Sequence, residues 1–212
     1  MKNRLIELAA NEIFEECLNS FIELCTIQKD TVRGKRILEN SLEARKRICG
    51  ECKINILISP FDVECIKENF FRIGEKTVHC EGLKKLGLSN VIGGYMYAVF
   101  TETLQFERLE LSTLQMYYAD SWLSAYVDAG WKSLKAILAN EAKKDFYKDR
   151  MQGRIVVSES LAPGYHGMPL ESTKDLFQLM KLSEYGMELH DDSVIIPQKN
   201  VIGIYLAGIF EE

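Results

Sequence analysis

The residues best suited to hold a ligand lie together in one short stretch, "LAPGYHGMP", residues 161–169. It contains two of the four prolines, two glycines, a tyrosine and one of the three histidines. Glycine allows another group to approach the backbone closely, whereas proline fixes φ and removes a hydrogen-bond donor. The composition therefore predicts either a loop that binds a ligand or one that only turns the chain.

A second set of chemically capable residues is the cysteines, all six of which fall within the first 80 residues. Cys49 and Cys52 form a C-x-x-C pair, a spacing found in redox pairs and in half of a metal site. A zinc site needs a second such pair, but Cys65 and Cys80 are single and His79 is the only imidazole near them. We interpret the cysteines as unconnected thiols, with a redox or metal role as the alternative.

Other familiar catalytic patterns are absent from the sequence. It has no P-loop, no G-x-G-x-x-G before a helix, no H-E-x-x-H and no nucleophile elbow. His79, His166 and His190 are scattered, and sequence alone pairs no two acids as acid and base. Taken by themselves, the residues predict a globular domain with one unusual loop and no catalytic residues.

The composition of the chain restricts the class of protein to which this loop belongs. The chain has 212 residues, 47% hydrophobic and 27% charged, with a net charge of −5. These values predict a globular protein with its own core, and they argue against a nucleic-acid partner. The N-terminal segment lacks the apolar core of a signal peptide, and no apolar run is long enough to span a membrane. We therefore expect a cytoplasmic protein with no membrane partner.

Helices are predicted from apolar spacing and from caps at residues 4–25, 31–48, 113–147 and 172–186. Ser112 and Gln115 form a capping box at the start of the longest helix. Ser172 and Asp175 predict a second box, and Gly186 would end that helix. The many charges of the second helix predict a solvated face or, alternatively, a basic docking patch.

Strands are predicted from β-branched and aromatic runs at residues 54–60, 76–80, 90–103, 154–160, 193–197 and 201–210. Pro60 is expected to end the first, and Gly93 and Gly94 predict a bulge or a close approach in the third. The last two runs flank a short turn and predict a C-terminal β-hairpin. Residues 61–71 are predicted to be a further helix, and residues 81–87 one or two helical turns.

The order of these elements predicts an α+β fold with a mainly antiparallel or mixed twisted sheet, flanking helices and a C-terminal β-hairpin. Strict alternation of strand and helix is absent, which argues against a parallel sheet. We expect residues 1–50 to be an N-terminal helical segment packed on a domain of residues 51–212.

About residues 153–207 resemble the activation (reactivation) domain of cobalamin-dependent methionine synthase. The resemblance rests on "APGY" at residues 162–165 with Pro169 after it, and on "GMEL" at residues 186–189 followed by Ser193, Pro197 and "VIGIY". The segments "VIGGYMYAVFT" and "AYVDAG" are weaker matches, and the aspartate of the second is Asp128. The first 50 residues show no match. The chain is similar in size to free-standing versions of this module, so we identify it as a divergent, free-standing member.

This resemblance implies a function for the loop. The family domain binds S-adenosylmethionine and presents it to a cobalamin held by a partner, which is a corrinoid-binding protein or the methionine synthase core. A flavodoxin-type donor supplies the electron, so the chain is accessory to the methyltransferase. Its own task is to position a methyl donor and exclude water. The resemblance implies ligand contacts at Ala162, Gly164, Tyr165 and Asp128, with Ser160 at the anchor position.

The sequence departs from the family pattern at three positions, one of which is the anchor position Ser160. Ser160 stands where the family has an arginine that pairs with the ligand carboxylate, and loss of a charge-assisted bond costs roughly 1.5–3 kcal/mol, about 10- to 150-fold in affinity. Lys132 stands where the family has a glutamate, and Thr101–Glu102 replaces a Thr-Gly pair. Either Arg154 or Lys132 is a candidate to compensate for Ser160.

Two functions therefore remain open at the level of sequence. In the first, the chain binds S-adenosylmethionine and supports reductive methylation of a corrinoid. In the second, it is a non-catalytic docking module for a corrinoid or methyl-transfer protein and has lost the nucleoside. The alternatives at single residues are a packed core tyrosine for Tyr165 and an exposed or capping acid for Asp128. His166 is interpreted as a surface residue.

Overall fold

The computed structural model describes residues 2–48, 52–63, 65–85, 90–102, 106–146, 154–191 and 193–210. Within these ranges the strands are β1 (Arg4–Ala9), β2 (Lys53–Asp62), β3 (Cys65–Lys67), β4 (Phe70–Ile73), β5 (Lys76–His79), β6 (Asn90–Thr101), β7 (Arg154–Val157), β8 (Glu188–His190), β9 (Val194–Ile196) and β10 (Asn200–Phe210). The α-helices are α1 (Phe14–Leu24), α2 (Val32–Ile48), α3 (Thr113–Asp145) and α4 (Ser172–Leu179).

A five-stranded sheet in the order β1-β2-β6-β10-β7 forms the centre of the fold. Every pairing in it is antiparallel. β3, β4 and β5 form a separate three-stranded sheet, and β8 and β9 a two-stranded one. The α+β class with an antiparallel sheet and flanking helices is confirmed.

Each face of the central sheet is covered by a hydrophobic core. One core joins the sheet to α1, α2 and α3, with Trp122 stacked on Phe21 at a ring-centroid distance of 4.3 Å. The other joins the sheet to β4, β5 and α4. The residues of β6 alternate between the two cores, with Tyr97 in the first and Met96 in the second. Because both faces are buried, β6 is an almost continuous apolar run in the sequence.

The two longest elements follow the sequence predictions closely. α3 begins at Ser112, whose hydroxyl accepts a hydrogen bond from the Gln115 N–H, while the Gln115 side chain accepts one from the Ser112 N–H. Within α3, a Cβ on Gly130 would lie 2.8 Å from Ile54 and 2.9 Å from Val99, so the helix packs closely on the sheet at this glycine. In β6, a Cβ on Gly93 would lie 2.3 Å from the Phe146 ring, which confirms a close approach there.

The predicted helix over residues 4–25 is wrong in its first part. Residues 4–9 form β1, which pairs with β2, and only residues 14–24 are helical. The predicted helix over residues 61–71 is also wrong, because β2 continues to Asp62 and two short strands follow. Both segments carry apolar residues at ambiguous spacing. Pairing with the distant β2 makes the first a strand, whereas in the second β3 pairs with the neighbouring β4, and β4 with β5. Beyond residue 58 β2 has no partner in β1, so Pro60 lies within the strand without disrupting that pairing.

Three smaller predictions also need correction. The hairpin forms between β8 and β9, whereas β10 pairs with β6 and β7, so the two C-terminal runs are strands that do not form one hairpin. Ser172 lies inside α4, so it forms no capping box, and Asp175 pairs with Lys76 instead, at 2.6 Å. Gly186 adopts a φ of 76° and ends a short 3-10 turn that follows α4. The predicted helix 31–48 is confirmed as α2.

Candidate functional site

The segment that leads into the glycine-proline loop is held along β10. The Ser158 N–H donates to the Leu206 carbonyl at 2.8 Å, and the Leu206 N–H donates to the Ser158 hydroxyl at 2.9 Å. Leu161 and Ile204 exchange both of their backbone hydrogen bonds, at 2.8 and 2.7 Å. Ser160, between these two points of attachment, is therefore fixed relative to the sheet.

The Ser160 side chain lies against a cluster of aromatic residues on the α3 side of the sheet. Its hydroxyl is 2.6 Å from the Tyr97 hydroxyl, and the Trp131 indole N–H donates to the same Tyr97 oxygen at 3.1 Å. The Tyr205 ring packs on Tyr97 with centroids 5.2 Å apart. Gly203 makes room for this contact, because a Cβ there would lie 2.7 Å from the Tyr97 hydroxyl oxygen. The predicted anchor position is thus engaged within the protein.

The phenols of this cluster are held neutral. Burial raises the pKa of Tyr97, although the hydrogen bonds from Ser160 and Trp131 act in the opposite direction. Burial also raises the pKa of Tyr205 well above its ordinary range, and the neighbouring Tyr97 adds to that shift. At neutral pH both rings therefore act as hydrogen-bonding groups and not as anions.

The loop itself is a compact turn with an exposed tip. The Tyr165 N–H donates to the Ala162 carbonyl at 3.0 Å, and the Gly164 N–H donates to the Met168 carbonyl at 2.9 Å. Gly164 has a φ of 81°, a conformation that L side chains rarely adopt. Tyr165 is 70% exposed, so it is not a packed core tyrosine. Its ring stands at the surface, where a ligand or a partner can contact it.

The far side of the turn is clamped to the segment after β5. The Gly82 N–H donates to the His166 carbonyl at 2.7 Å, and a Cβ on Gly167 would lie 2.7 Å from that of Glu81. A cavity of about 520 Å³ lies at this junction, lined by Asn69, Glu81, Gly82, Lys84, Lys85, His166 and Gly167. His166 is exposed, as predicted.

Asp128 lies on α3 and forms an ion pair with Lys132 one turn later, at 2.8 Å. Lys132 also pairs with Glu23 of α1, at 2.5 Å. Burial opposes the charge on Lys132, but the bonds to Asp128 and Glu23 outweigh it and raise the pKa of this lysine. The exposed-acid alternative for Asp128 does not hold, because the residue is partly buried and paired. The Lys132 ammonium group thus forms ion pairs with two carboxylates.

Asp128 also lines a cavity of about 330 Å³ between α3 and the turn that precedes β10. The lining residues are Ser124, Val127, Asp128, Trp131, Gln198, Lys199, Asn200 and Val201. Lys199 is the one cation in this described lining, and its ammonium pairs with Asp120 at 2.8 Å. An aspartate, a lysine and a tryptophan thus contribute to the lining of one cavity.

The turn that carries Lys199 is well fixed. The Asn200 side-chain amide donates to the Ile195 and Pro197 carbonyls, at 3.2 and 2.5 Å. The Thr101 N–H donates to the Lys199 carbonyl at 3.2 Å. Thr101 is buried at the end of β6, and the following Glu102 is exposed.

The structure divides the predicted site residues into two groups. Ser160 and Asp128 are linked through Trp131, which bonds to the partner of Ser160 and lines the cavity beside Asp128. Gly164 and Tyr165 lie on the exposed turn and are not part of the described cavity lining. The Arg154 side chain, one candidate to compensate for Ser160, lies outside the described side chains.

Sequence reasoning missed Tyr97 and Lys199. Tyr97 is one of two tyrosines at alternate positions of an otherwise apolar strand, and a buried tyrosine usually has a hydrogen-bond partner. Lys199 is the charged residue of a turn between two β-rich runs. Both signals were visible in the sequence, but neither indicated which distant residues these side chains would meet.

The cysteines and the membrane prediction have clear outcomes within the described part of the chain. The five described cysteines are thiols and none is in a disulfide. Cys49 lies outside the described residues, so the C-x-x-C pair is not tested. The described residues contain no group of three or more His, Cys, Asp or Glu side chains that could hold a metal ion. They also contain no helix with the length and apolar character needed to cross a membrane.

Of the comparisons with known proteins, only the one with solved structures gives a match. No protein-family model matches the sequence, and no curated protein is a significant sequence match. Among solved structures, the chain is similar to the crystal structure of the MetH reactivation domain bound to AdoHcy. The match covers 100% of this chain and 80% of that one, with a TM-score of 0.59 and 12% sequence identity. At this identity the similarity shows a common α+β fold.

Proposed function

We propose that this chain is a module that binds S-adenosylmethionine and supports the reductive methylation of a corrinoid on a partner protein. The observation that carries the proposal is the similarity of its whole length to a domain whose structure contains AdoHcy, the product left when that donor loses its methyl group. The turn formed by residues 162–165 supports it further, because it has the glycine and the tyrosine of the family loop, and in this chain the tyrosine is exposed.

The cavity beside Asp128 fits the chemistry of such a ligand. The ligand has a planar adenine ring and an amino-acid end with one ammonium and one carboxylate group. The lining offers the Trp131 indole, the Asp128 carboxylate and the Lys199 ammonium. Its volume of about 330 Å³ is near the lower end of ligand pockets, which are roughly 300–1,000 Å³.

The partner in this proposal is a corrinoid-binding protein or a methionine synthase core. A corrinoid that has received an electron from a flavodoxin-type donor accepts the methyl group. The chain itself binds and orients the methyl donor and excludes water from it. The exposed turn with Tyr165 at its tip is the natural surface to face the corrinoid. In this role the chain is a free-standing, divergent reactivation module of the cytoplasm, accessory to the methyltransferase.

A second candidate is a docking module that has lost the nucleoside. It is favoured by the state of two residues at family binding positions. The Ser160 hydroxyl is taken up by Tyr97, and Lys132 is held by Asp128 and Glu23. In this reading the chain binds its corrinoid or methyl-transfer partner through the exposed turn alone.

Calorimetric titration with S-adenosylmethionine and with AdoHcy separates the two candidates. Micromolar binding that is weakened by Asp128→Ala in the cavity wall, but not by Tyr117→Phe at an exposed position on α3, supports the first. Absence of binding at millimolar ligand, in a sample shown to be folded by circular dichroism, contradicts it and favours the docking module.

A further inference from the structure

We propose that Lys199 binds the carboxylate of the ligand's amino-acid end and so takes over the role that an arginine at position 160 would have. This inference rests on the proposed function and assigns the anchor to a residue from another element. The first reason is that Ser160 is not available. Its hydroxyl lies 2.6 Å from the Tyr97 hydroxyl, which also receives the Trp131 N–H. A carboxylate at this place would have to break a partly buried hydrogen bond and would gain no charge.

The second reason is that the other nearby cation is already neutralised. Lys132 pairs with Asp128 at 2.8 Å and with Glu23 at 2.5 Å. Two carboxylates around one ammonium leave a net negative charge, which would repel a third carboxylate. Lys132 therefore holds Asp128 in place at the cavity wall and does not serve as the anchor.

The third reason is the position of Lys199. It lines the same cavity as Asp128 and Trp131, and its backbone is fixed by the Thr101 hydrogen bond. Its side chain is 27% exposed, so its charge is partly shielded from water. Ser160 is not part of this lining, because the neighbouring Leu161 pairs with Ile204 further along β10.

The fourth reason is that the partner of Lys199 is easily replaced. Asp120 is 51% exposed, and an ion pair of this kind adds little to stability. A ligand carboxylate that enters the cavity can take the place of Asp120 at the ammonium group, while Asp120 returns to water. Opposite it, Asp128 offers a carboxylate toward the ligand's ammonium group. The ligand carboxylate then pairs with Lys199, and the ligand ammonium group pairs with Asp128.

The experiment compares two ligands that differ only in the amino-acid end. AdoHcy carries the carboxylate, whereas 5′-methylthioadenosine is a nucleoside thioether without it. We expect Lys199→Gln to weaken AdoHcy binding about 10- to 150-fold and to leave 5′-methylthioadenosine binding unchanged. Lys199→Arg should restore most of the AdoHcy affinity. Asp120→Asn removes the competing carboxylate and should tighten AdoHcy binding up to about fivefold.

The control is Lys46→Gln, which makes the same change on an exposed lysine of α2 and should alter neither affinity. If AdoHcy binds and Lys199→Gln leaves its affinity unchanged, the anchor assignment is overturned while the proposed function stands. If the substitution weakens both ligands equally, Lys199 shapes the cavity and does not bind the carboxylate. If neither ligand binds the unaltered protein, both the function and the anchor assignment fail.

Discussion

The hydroxyl oxygens of Tyr97 and Ser160 lie 2.6 Å apart, although the two residues are 63 positions apart in the chain. The contact joins the central strand β6 to the segment that enters the glycine-proline loop. Trp131 of α3 completes it with a hydrogen bond to the same Tyr97 oxygen. These hydrogen bonds connect the segment before the loop to Trp131 in the wall of the cavity beside Asp128. A substitution at Ser160 should therefore also affect Tyr97 and Trp131.

Ser160→Ala tests this connection. It removes one of the two partners of the Tyr97 hydroxyl, and we expect the free energy of unfolding to fall by about 0.5–1.5 kcal/mol. The pKa of Tyr97 should rise further, because the Ser160 hydrogen bond now lowers it. Urea denaturation and ultraviolet titration of the phenols measure the two effects. Ser183→Ala, at an exposed position, is the control, and equal stability of the two variants would contradict the prediction.

Alkaline pH should destabilise the fold more steeply than a surface tyrosine could explain. Burial raises the pKa of Tyr95, helped by its hydrogen bond to Asp145, and burial likewise raises those of Tyr97 and Tyr205. Since an unfolded tyrosine titrates near pH 10, the unfolded chain loses these protons first. The stability from these groups is complete below about pH 10, and it falls by about 1.4 kcal/mol per pH unit for each such tyrosine above it.

Urea denaturation between pH 9 and pH 11 measures this slope. Tyr95→Phe should reduce the slope, while lowering stability at pH 8 through loss of the 2.7 Å bond to Asp145. Tyr117→Phe deletes the same hydroxyl from a ring that is 62% exposed and serves as the control. If the free energy of unfolding stays constant up to pH 11, the prediction is wrong.

Features that depend on neighbouring residues could be predicted from the sequence. The start of α3 was found because Ser112 and Gln115 cap each other locally, and the turn at Gly164 because glycine and proline act on their own backbone. β1 was missed because its residues also fit a helical period, and only pairing with β2 makes them a strand. Helix caps and turns depend on adjacent residues and can be predicted from them, whereas the pairing of β1 depends on residues far away in the chain.

The candidate site was predictable to the same limited degree. The loop was identified from its composition and Asp128 from the resemblance, but the contact that occupies Ser160 requires β6 and β10 to be neighbours. The place of Lys199 in the cavity wall requires the turn before β10 to face α3. Neither arrangement follows from composition or periodicity, because each joins elements that the chain separates widely.

Gly130→Ala should destabilise the protein although alanine is the better helix former. The added Cβ would lie 2.8 Å from Ile54 and 2.9 Å from Val99, both on strands of the central sheet. Overpacking of this kind costs about 1–3 kcal/mol, and the gain in helix propensity of about 1 kcal/mol offsets only part of it. Ala136→Gly, at an exposed position of the same helix, measures the propensity alone. A Gly130→Ala variant more stable than the parent would show that α3 can shift outward.

Gly167→Ala should cost more stability than Gly164→Ala. Both residues have positive φ, at 69° and 81°, so each alanine carries a strain of about 1–2 kcal/mol. At Gly167 the new Cβ would also lie 2.7 Å from the Glu81 Cβ, whereas at Gly164 the nearest atom is on Leu170 at 3.6 Å. Thermal denaturation of the two variants gives the difference directly. Equal melting temperatures would mean that the clamp between the loop and the segment after β5 is loose.

Tyr165→Ala separates a functional role of the loop from a structural one. The ring is 70% exposed, so its removal should change the free energy of unfolding by no more than about 0.5 kcal/mol. If the exposed tip contacts the nucleoside or the corrinoid partner, the same variant should weaken that binding at least tenfold, because an aromatic ring at a contact surface is among the costliest side chains to remove. Leu170→Ala, also exposed and on the same loop, is the matched control. If the Tyr165→Ala variant keeps full binding of both nucleoside and partner, the loop tip is not part of the binding site. The cavity beside Asp128 would then be the remaining candidate.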